Sequence, residues 1–243
     1  MNRVVRWIAA GVAIVAAAAL LAVGGIYVVS ERVIVATYPL PPSSFHASTG
    51  AEAVARGKRL ASAFGCADCH MSNLQGGYLD FAGYKSRNLT RLAKSFSDAD
   101  FDRAVRAGIR PDGTSVAGEM PSDAYRYMPD ADFADIVAYI RSLPASGEDI
   151  PTPSYDLAAR WRFVTGKDHT DQFYFALKPA LDLGPAHAKG RILAMTACGE
   201  CHVTTLTGAT QVFAEGVTPP DLSLVASYSR EDFLHFMHTG KAA

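Results

Sequence analysis

Cys66-Ala67-Asp68-Cys69-His70 is the stretch that decides how this chain folds, and it returns 132 residues later as Cys198-Gly199-Glu200-Cys201-His202. A Cys-x-x-Cys-His run is the pattern of covalent haem attachment: two thiols add across the porphyrin vinyl groups, and the adjacent histidine can ligate the iron from one face. Two copies, each entered from a similar helix, make the pattern specific. A four-cysteine zinc ribbon is a weaker reading, because its pairs sit about 15–20 residues apart and a histidine after each pair would be unexplained. A thioredoxin-like pair wants a βαβ setting, and none is visible. The two runs use all four cysteines of the chain, so no structural disulfide is predicted. Cys66, Cys69, His70, Cys198, Cys201 and His202 are therefore the candidate binding residues for two covalently attached haem c groups, with His70 and His202 as iron ligands.

The 243 residues give room for one to two domains plus accessories. With 23 basic and 24 acidic residues, charge is balanced and no nucleic-acid partner is expected. Glycine and alanine are plentiful and β-branched alternation is scarce, which favours helices and loops.

Ahead of the first run, Asn2-Arg3-Val4-Val5-Arg6 leads into an uncharged, mostly apolar stretch from Trp7 to Val29, closed by Glu31-Arg32. A transmembrane helix needs about 20 apolar residues. A cleaved signal has a shorter apolar region of about 7–15. An uncleaved anchor over 1–32 is expected, with Arg3 and Arg6 on the cytoplasmic side and the haem runs outside. The prolines of Tyr38-Pro39-Leu40-Pro41-Pro42 suggest a spacer over 33–47 that lifts the next domain off the bilayer.

Between 48 and 145 the pattern reads as one helical domain. Ala51 to Phe64 is a helix in which Gly57 permits another helix to approach closely. Ser97 caps the next helix, with Asp100 three residues on and Phe101 and Val105 on one face. Met120-Pro121 and Met128-Pro129 mark a loop, and a last helix from Asp130 to Leu143 places Phe133, Ile136, Val137 and Ile140 on one face. A connector over 146–185 contains Leu157, Trp161 and Val164 on one helical face and is expected to pack across both domains. His46, His169 and His187 lack ligand spacing and are expected at the surface.

This order resembles a class I cytochrome c domain. In particular, Met120-Pro121-Ser122-Asp123-Ala124-Tyr125-Arg126-Tyr127-Met128-Pro129-Asp130-Ala131-Asp132 resembles the Met-Pro-x-x-x-Tyr-x-x-Met-x-Asp-x-Asp run of the cytochrome subunits of membrane dehydrogenases. The resemblance implies Met120 as the second axial ligand of the first iron, with Met128 as the alternative. A thioether opposite a histidine raises the potential of a haem iron.

The region 186–243 repeats the first. Leu74 and Gly76 answer Leu206 and Gly208, Asn88-Leu89-Thr90 answers Asp221-Leu222-Ser223, and Ser97 to Phe101 answers Ser229 to Phe233. The expected fold class is thus mostly α: a transmembrane helix and two cytochrome c-like domains. Pro219-Pro220 resembles the family's proline whose carbonyl accepts the proximal histidine's N–H. The first copy has Arg87 there, which leaves that bond open for His70. Carrying the offset forward puts the partner of Met120 near position 252, past Ala243. The second domain is expected to lack its C-terminal part, through truncation of the chain, completion by another subunit, or a different or open sixth position. Met195, Met237, His235 and His238 do not occupy the matching position.

The pattern contains no nucleophile with its base and no acid–base carboxylate pair, so no catalytic residues are named. The expectation is a non-enzymatic carrier: a dihaem c-type cytochrome anchored in a bacterial inner membrane, its haem domains periplasmic, moving single electrons in a respiratory chain. The resemblance implies a dehydrogenase subunit, a terminal oxidase or a quinone-linked complex as redox partner, although dehydrogenase cytochromes of this kind usually carry three such runs. The alternative is a dihaem peroxidase, whose peroxide-binding haem is in the N-terminal half; here that half keeps Met120.

Overall fold

A computed structural model describes residues 2–151, 155–177, 184–202, 205–208 and 218–241. Pro153, within the predicted connector, lies outside them. Helix α1 (Arg3–Ile34) is rich in alanine, valine, leucine and isoleucine and contains no proline, and it runs through Gly11, Gly24 and Gly25. Its apolar window is fully exposed in the isolated chain, and it is the one described helix long and apolar enough to cross a membrane.

The proline stretch after α1 does not stand off from the protein. The backbone N–H of Tyr38 donates to the carbonyl of Gly113 at 2.8 Å, Arg103 Nε donates to the Pro41 carbonyl at 2.8 Å, and Ser43 Oγ donates to Asp102 at 2.6 Å. Phe45 then enters the core against Phe133, ring centroids 4.8 Å apart. Proline removes a donor but leaves its carbonyl, so an extended proline strap can be bound along a surface as readily as it can span a gap. Composition alone did not distinguish the two.

The first helical domain is organised by the crossing of α2 (Ala51–Ala63) and α7 (Asp130–Ser142). Gly57 sits at the crossing, where a Cβ would lie 1.8 Å from the Asp135 carbonyl oxygen. Beside it Arg56 Nε donates to the Asp135 carboxylate at 2.7 Å. The predicted face of α7 is buried as expected, Phe133, Ile136, Val137 and Ile140 all lying inside with Tyr125 and Met128. Helix α3 (Cys66–Cys69) carries the first cysteine pair.

A short hairpin follows, β1 (Tyr78–Leu79) against β2 (Tyr84–Lys85), and then α4 (Leu89–Ser95). Neither was legible in the sequence. Helix α4 exists because Asn88 caps it, Oδ1 accepting from the N–H groups of Thr90 and Arg91 while Nδ2 donates to the carbonyls of Ser146 and Glu148 at 2.7 and 2.8 Å. Helix α5 (Asp98–Arg106) begins with a complete capping box between Ser97 and Asp100. The short α6 (Ser122–Tyr125) stands in the methionine loop.

The connector belongs structurally to the first domain. Asp156 caps α8 (Leu157–Val164), accepting from Ala159 N–H at 2.7 Å, and this start sets the helical phase. Ala159 and Phe163 turn inward onto Tyr84, Tyr155, Leu79 and Ile34, whereas Leu157 and Trp161 face out. Helix α9 (Asp171–Leu177) follows. His169 stacks on Phe173 at 3.6 Å instead of standing free; His46 and His187 are exposed. Helix α10 (Ala188–His202) then packs on α6, burying Met195 and Thr196, and α11 (Arg230–Thr239) starts from a second complete capping box, Ser229 with Asp232.

Gly57→Ala is expected to cost about 3 kcal/mol or more by overpacking, because its neighbour at the crossing is backbone and cannot rotate away; a thermal melt tests this. Burial would raise the Asp135 pKa, but hydrogen bonds from Arg56 and Ser48 outweigh it and hold the carboxyl below its ordinary value. A depressed carboxylate contributes stability that is present above its unfolded pKa of about 3.9 and is lost as pH falls through the folded value. Melts between pH 3 and pH 5 should therefore show a steeper loss in the wild type than in Asp135→Asn.

Candidate functional site

Helices α3, α4, α5 and α7, the hairpin and the methionine loop surround an apolar cleft of about 1210 Å³, counting its open mouth. Leu89, Leu92, Phe101, Val105, Phe133, Ile136 and Ile140 supply its walls, and Cys66, Cys69, His70, Met120 and Met128 all line it. The sequence-predicted residues of the first run are thus brought to one place. Both thiols are half-buried and neither is in a disulfide.

The local chain explains how His70 is held. Gly65, at φ 72°, ends the approach from α2 and turns the chain into α3. The carbonyl of Cys69 accepts from Ser86 Oγ at 2.7 Å, and His70 Nδ1–H donates to the Arg87 carbonyl at 2.8 Å. A carbonyl can only accept, so this bond fixes the tautomer and leaves Nε2 with a lone pair suited to a metal. The bond left open by the absence of a proline is made because a backbone carbonyl, not a particular side chain, is required. Gly76 brings that strand close: a Cβ there would sit 2.3 Å from the Ser86 carbonyl. Burial lowers the His70 pKa, opposed by the bond to Arg87, and so favours the neutral ring.

Two arginines stand in the cleft wall. Arg110 is 5 % exposed and donates to Thr114 Oγ1 at 2.6 Å; Arg87 lies over the Phe96 ring at 5.7 Å and donates to the Ile150 carbonyl at 3.4 Å. Burial lowers the pKa of both, and each lies close enough for Arg110 to depress Arg87 further. Their described hydrogen-bond partners are neutral oxygens. Arg110 is buried and Arg87 half-buried, with the carboxylates of Asp112 and Asp149 near enough to act on them; this cationic edge suits an apolar body that carries acid groups there. Tyr84 and Glu119 also line it, the Tyr84 hydroxyl donating to Glu119 at 3.2 Å, and burial pushes both pKa values up. Sequence reasoning missed Arg110, Tyr84 and Glu119, since isolated polar residues in loops produce no periodic signal.

The second run repeats this geometry. His202 Nδ1–H donates to the Pro220 carbonyl at 2.8 Å, as the proline pattern suggested. Gly76 and Gly208 donate their N–H groups to the carbonyls of His70 and His202, and Leu89 and Leu222 to those of Leu74 and Leu206. Leu74 and Leu206 share the same left-handed conformation, φ 58°. Cys198 is half-buried, which raises its pKa, and Cys201 is exposed. The described residues place Met195 in the contact with the first domain, while Met237, His235 and His238 face solvent. No group of three or more His, Cys, Asp or Glu side chains converges as a metal site among the described residues, so the two cysteine pairs do not form a four-thiolate centre there.

The sequence profile of the cytochrome c family matches residues 54–144, which include the first cysteine pair, the cleft and Met120. Residues 54–144 are a cytochrome c domain. Such a domain implies covalently bound haem c with its iron, and the apolar cleft, the paired thiols, the oriented His70, the buried Arg110 and the half-buried Arg87 fit that group. Among curated proteins the chain is similar to the fructose dehydrogenase cytochrome subunit of Gluconobacter japonicus, 27% identical over 85% of this chain and 48% of that one. It is similar to the gluconate 2-dehydrogenase cytochrome c subunit of Pantoea cypripedii, 30% identical over 61% of this chain and 37% of that protein, and to a diheme cytochrome c-type protein of Cereibacter sphaeroides, 28% identical over 66% and 60%. The chain spans three-fifths or less of the length of each of these relatives.

Met120 and Met128 differ in surroundings. Met128 is 3 % exposed inside the core cluster, whereas Met120 is partly buried at its edge. Met120→Ala is expected to abolish the weak sulfur-to-iron absorption of one haem and leave the fold intact, while Met128→Ala should keep that absorption and cost about 2–5 kcal/mol. Near-infrared absorption with a thermal melt of each variant separates the two roles, and loss of the band in Met128→Ala alone would reverse the assignment.

Proposed function

We infer that this chain is a membrane-anchored dihaem c-type cytochrome that transfers single electrons, as the cytochrome subunit of a dehydrogenase or oxidase complex on the periplasmic side of a bacterial inner membrane. The observation that carries this reading is the recurrence, around both Cys-x-x-Cys-His runs, of the same Nδ1–H to carbonyl bond at 2.8 Å. Cys66 and Cys69 would tether the first haem c and Cys198 and Cys201 the second. His70 and His202 would each hold one of the two irons, and Met120 would be a second ligand of the first.

When bound, haem iron supplies a reversible one-electron couple. The protein's part is to bind, orient and insulate. Leu89, Leu92, Phe101, Ile136 and Ile140 exclude water from the cleft. Arg87 and Arg110 would hold carboxylates at its edge, and the Arg87 and Pro220 carbonyls keep each histidine ring in one tautomer and orientation. Helix α10, which ends in the second cysteine pair, packs on α6, which begins two residues after Met120. Contact between the helix of the second run and the helix after Met120 supports electron exchange between the two sites.

The names of the relatives support a dehydrogenase as electron donor, and α1 supports attachment to the inner membrane. A quinone-linked complex or terminal oxidase is the acceptor. The dihaem peroxidase reading gains no support from the first cleft, which Met120 lines beside His70. Reductive titration of the purified chain should take up two electrons in one-electron steps, and reduced protein should be reoxidised by a small one-electron oxidant without turning over hydrogen peroxide. Sustained peroxide consumption with a reduced donor would overturn the carrier assignment.

A further inference from the structure

The chain has only two tryptophans, Trp7 and Trp161. Trp7 opens the apolar stretch of α1. Trp161 comes from the connector, more than 150 residues away in sequence, yet it is positioned by the other end of the same helix. Arg160, its neighbour on α8, places its guanidinium 4.4 Å from the centre of the Tyr27 ring and donates to Ser30 Oγ at 2.9 Å and to the Glu31 carboxylate at 2.7 Å. Ile34 joins Ala159 and Phe163 in one buried cluster. Helix α8 is thus clamped to α1 at the level of residues 27–34.

From Trp7 to the Tyr27–Glu31 level α1 rises about 30–36 Å at 1.5 Å per residue, which matches a hydrocarbon core of about 30 Å with the start of the interface. On α8 at that level Trp161 is 51 % and Leu157 41 % exposed. The hairpin turn bearing Phe81, 65 % exposed, is bonded to the same helix: Arg162 donates to the Ala82 carbonyl at 2.7 Å and Asp156 N–H to that of Gly83 at 2.9 Å. An indole beside charged residues at the end of an apolar span has the chemistry of the membrane–water interface, where an amphipathic ring lies among headgroups.

We propose that Trp161 and Leu157 of α8 form an interfacial foot that rests in the outer leaflet of the bilayer and, through the Arg160 clamp on α1, fixes the orientation of the cytochrome c domain on the membrane. The occupant of this apolar face is lipid, because the helix that carries it is bonded through Arg160 to the end of the apolar span. The inference rests on reading α1 as a span. The foot replaces a free tether: with the proline strap bound along the domain, the cleft is held at a set height and angle toward any membrane-bound partner.

The full-length haem-loaded protein in phosphatidylcholine–phosphatidylglycerol nanodiscs, with its iron oxidised and each label's relaxation referred to the same sample without collision reagent, tests this by nitroxide labels at Leu157→Cys, Trp161→Cys, Ala17→Cys at the middle of α1 and Lys167→Cys as a water-exposed control. The unsubstituted chain gives the labelling background. Leu157→Cys retains Trp161, so the two foot positions report independently should either variant fold poorly. Collision with oxygen relative to a water-soluble nickel chelate should rise at 157 and 161 above the Lys167 value and remain below the Ala17 value. Values at 157 and 161 equal to the Lys167 control, with Ala17 deep, would overturn the foot and leave the span standing. Labels immobilised and shielded from both reagents would show a protein partner on that face and equally overturn it. An Ala17 label open to the nickel chelate would refute the span itself.

Discussion

The hydrogen bond from His70 Nδ1–H to the Arg87 carbonyl ties the end of the Cys-x-x-Cys-His run to the loop that starts α4, and much of the domain serves to keep that carbonyl in place. Gly76 lets the two strands approach, Ser86 secures the Cys69 carbonyl, and Asn88 both caps α4 and draws in the start of the connector. The crossing of α2 and α7 at Gly57 sets the opposite wall. Once these backbone contacts are made, the side chains between them leave an apolar cleft, and the histidine at its edge has one ring orientation and one tautomer. The same bond to Pro220 orients His202, with the same left-handed leucine and the same capping box nearby. Two stretches 132 residues apart have therefore kept one solution to one problem, the presentation of a neutral imidazole Nε2 beside a thiol pair.

The parts of the chain outside the cytochrome c domain are not loose attachments to it. The proline strap lies along its surface, α8 adds Ala159 and Phe163 to a second buried cluster, and Arg160 binds the end of α1. The end of α1, the strap and the connector are each bonded to other described residues of the chain, so the cleft is fixed relative to all three. On the other side α10 rests on α6, so the region carrying the second thiol pair is also placed by the first domain.

What the sequence made legible follows from the range of the interactions involved. The thiol–histidine runs, the capping boxes at Ser97 and Ser229, the buried face of α7 and the need for a small residue at 57 are local or periodic, and residue types reveal them directly. The capping role of Asn88 gave no local signal, because its partners Ser146 and Glu148 are nearly 60 residues away. The apolar residues of α8 were visible, but the buried face was not: Asp156 starts the helix so that small Ala159 meets Gly83, leaving Leu157 and Trp161 outside. Arg110 gave no signal, since a buried cation is meaningful only when its surroundings are known. The proline strap was misread as a spacer because docking depends on carbonyls and on Phe45 finding Phe133, not on the prolines themselves.

Intact mass spectrometry of the chain produced in cells competent for covalent haem attachment, paired with a pyridine haemochrome assay, tests the central claim most directly. The account predicts a polypeptide heavier than its sequence by two haems, with the mass retained after denaturation and lost at one site when Cys198 and Cys201 are both replaced by alanine. A chain at its sequence mass, with zinc or nothing at the thiols, would contradict it.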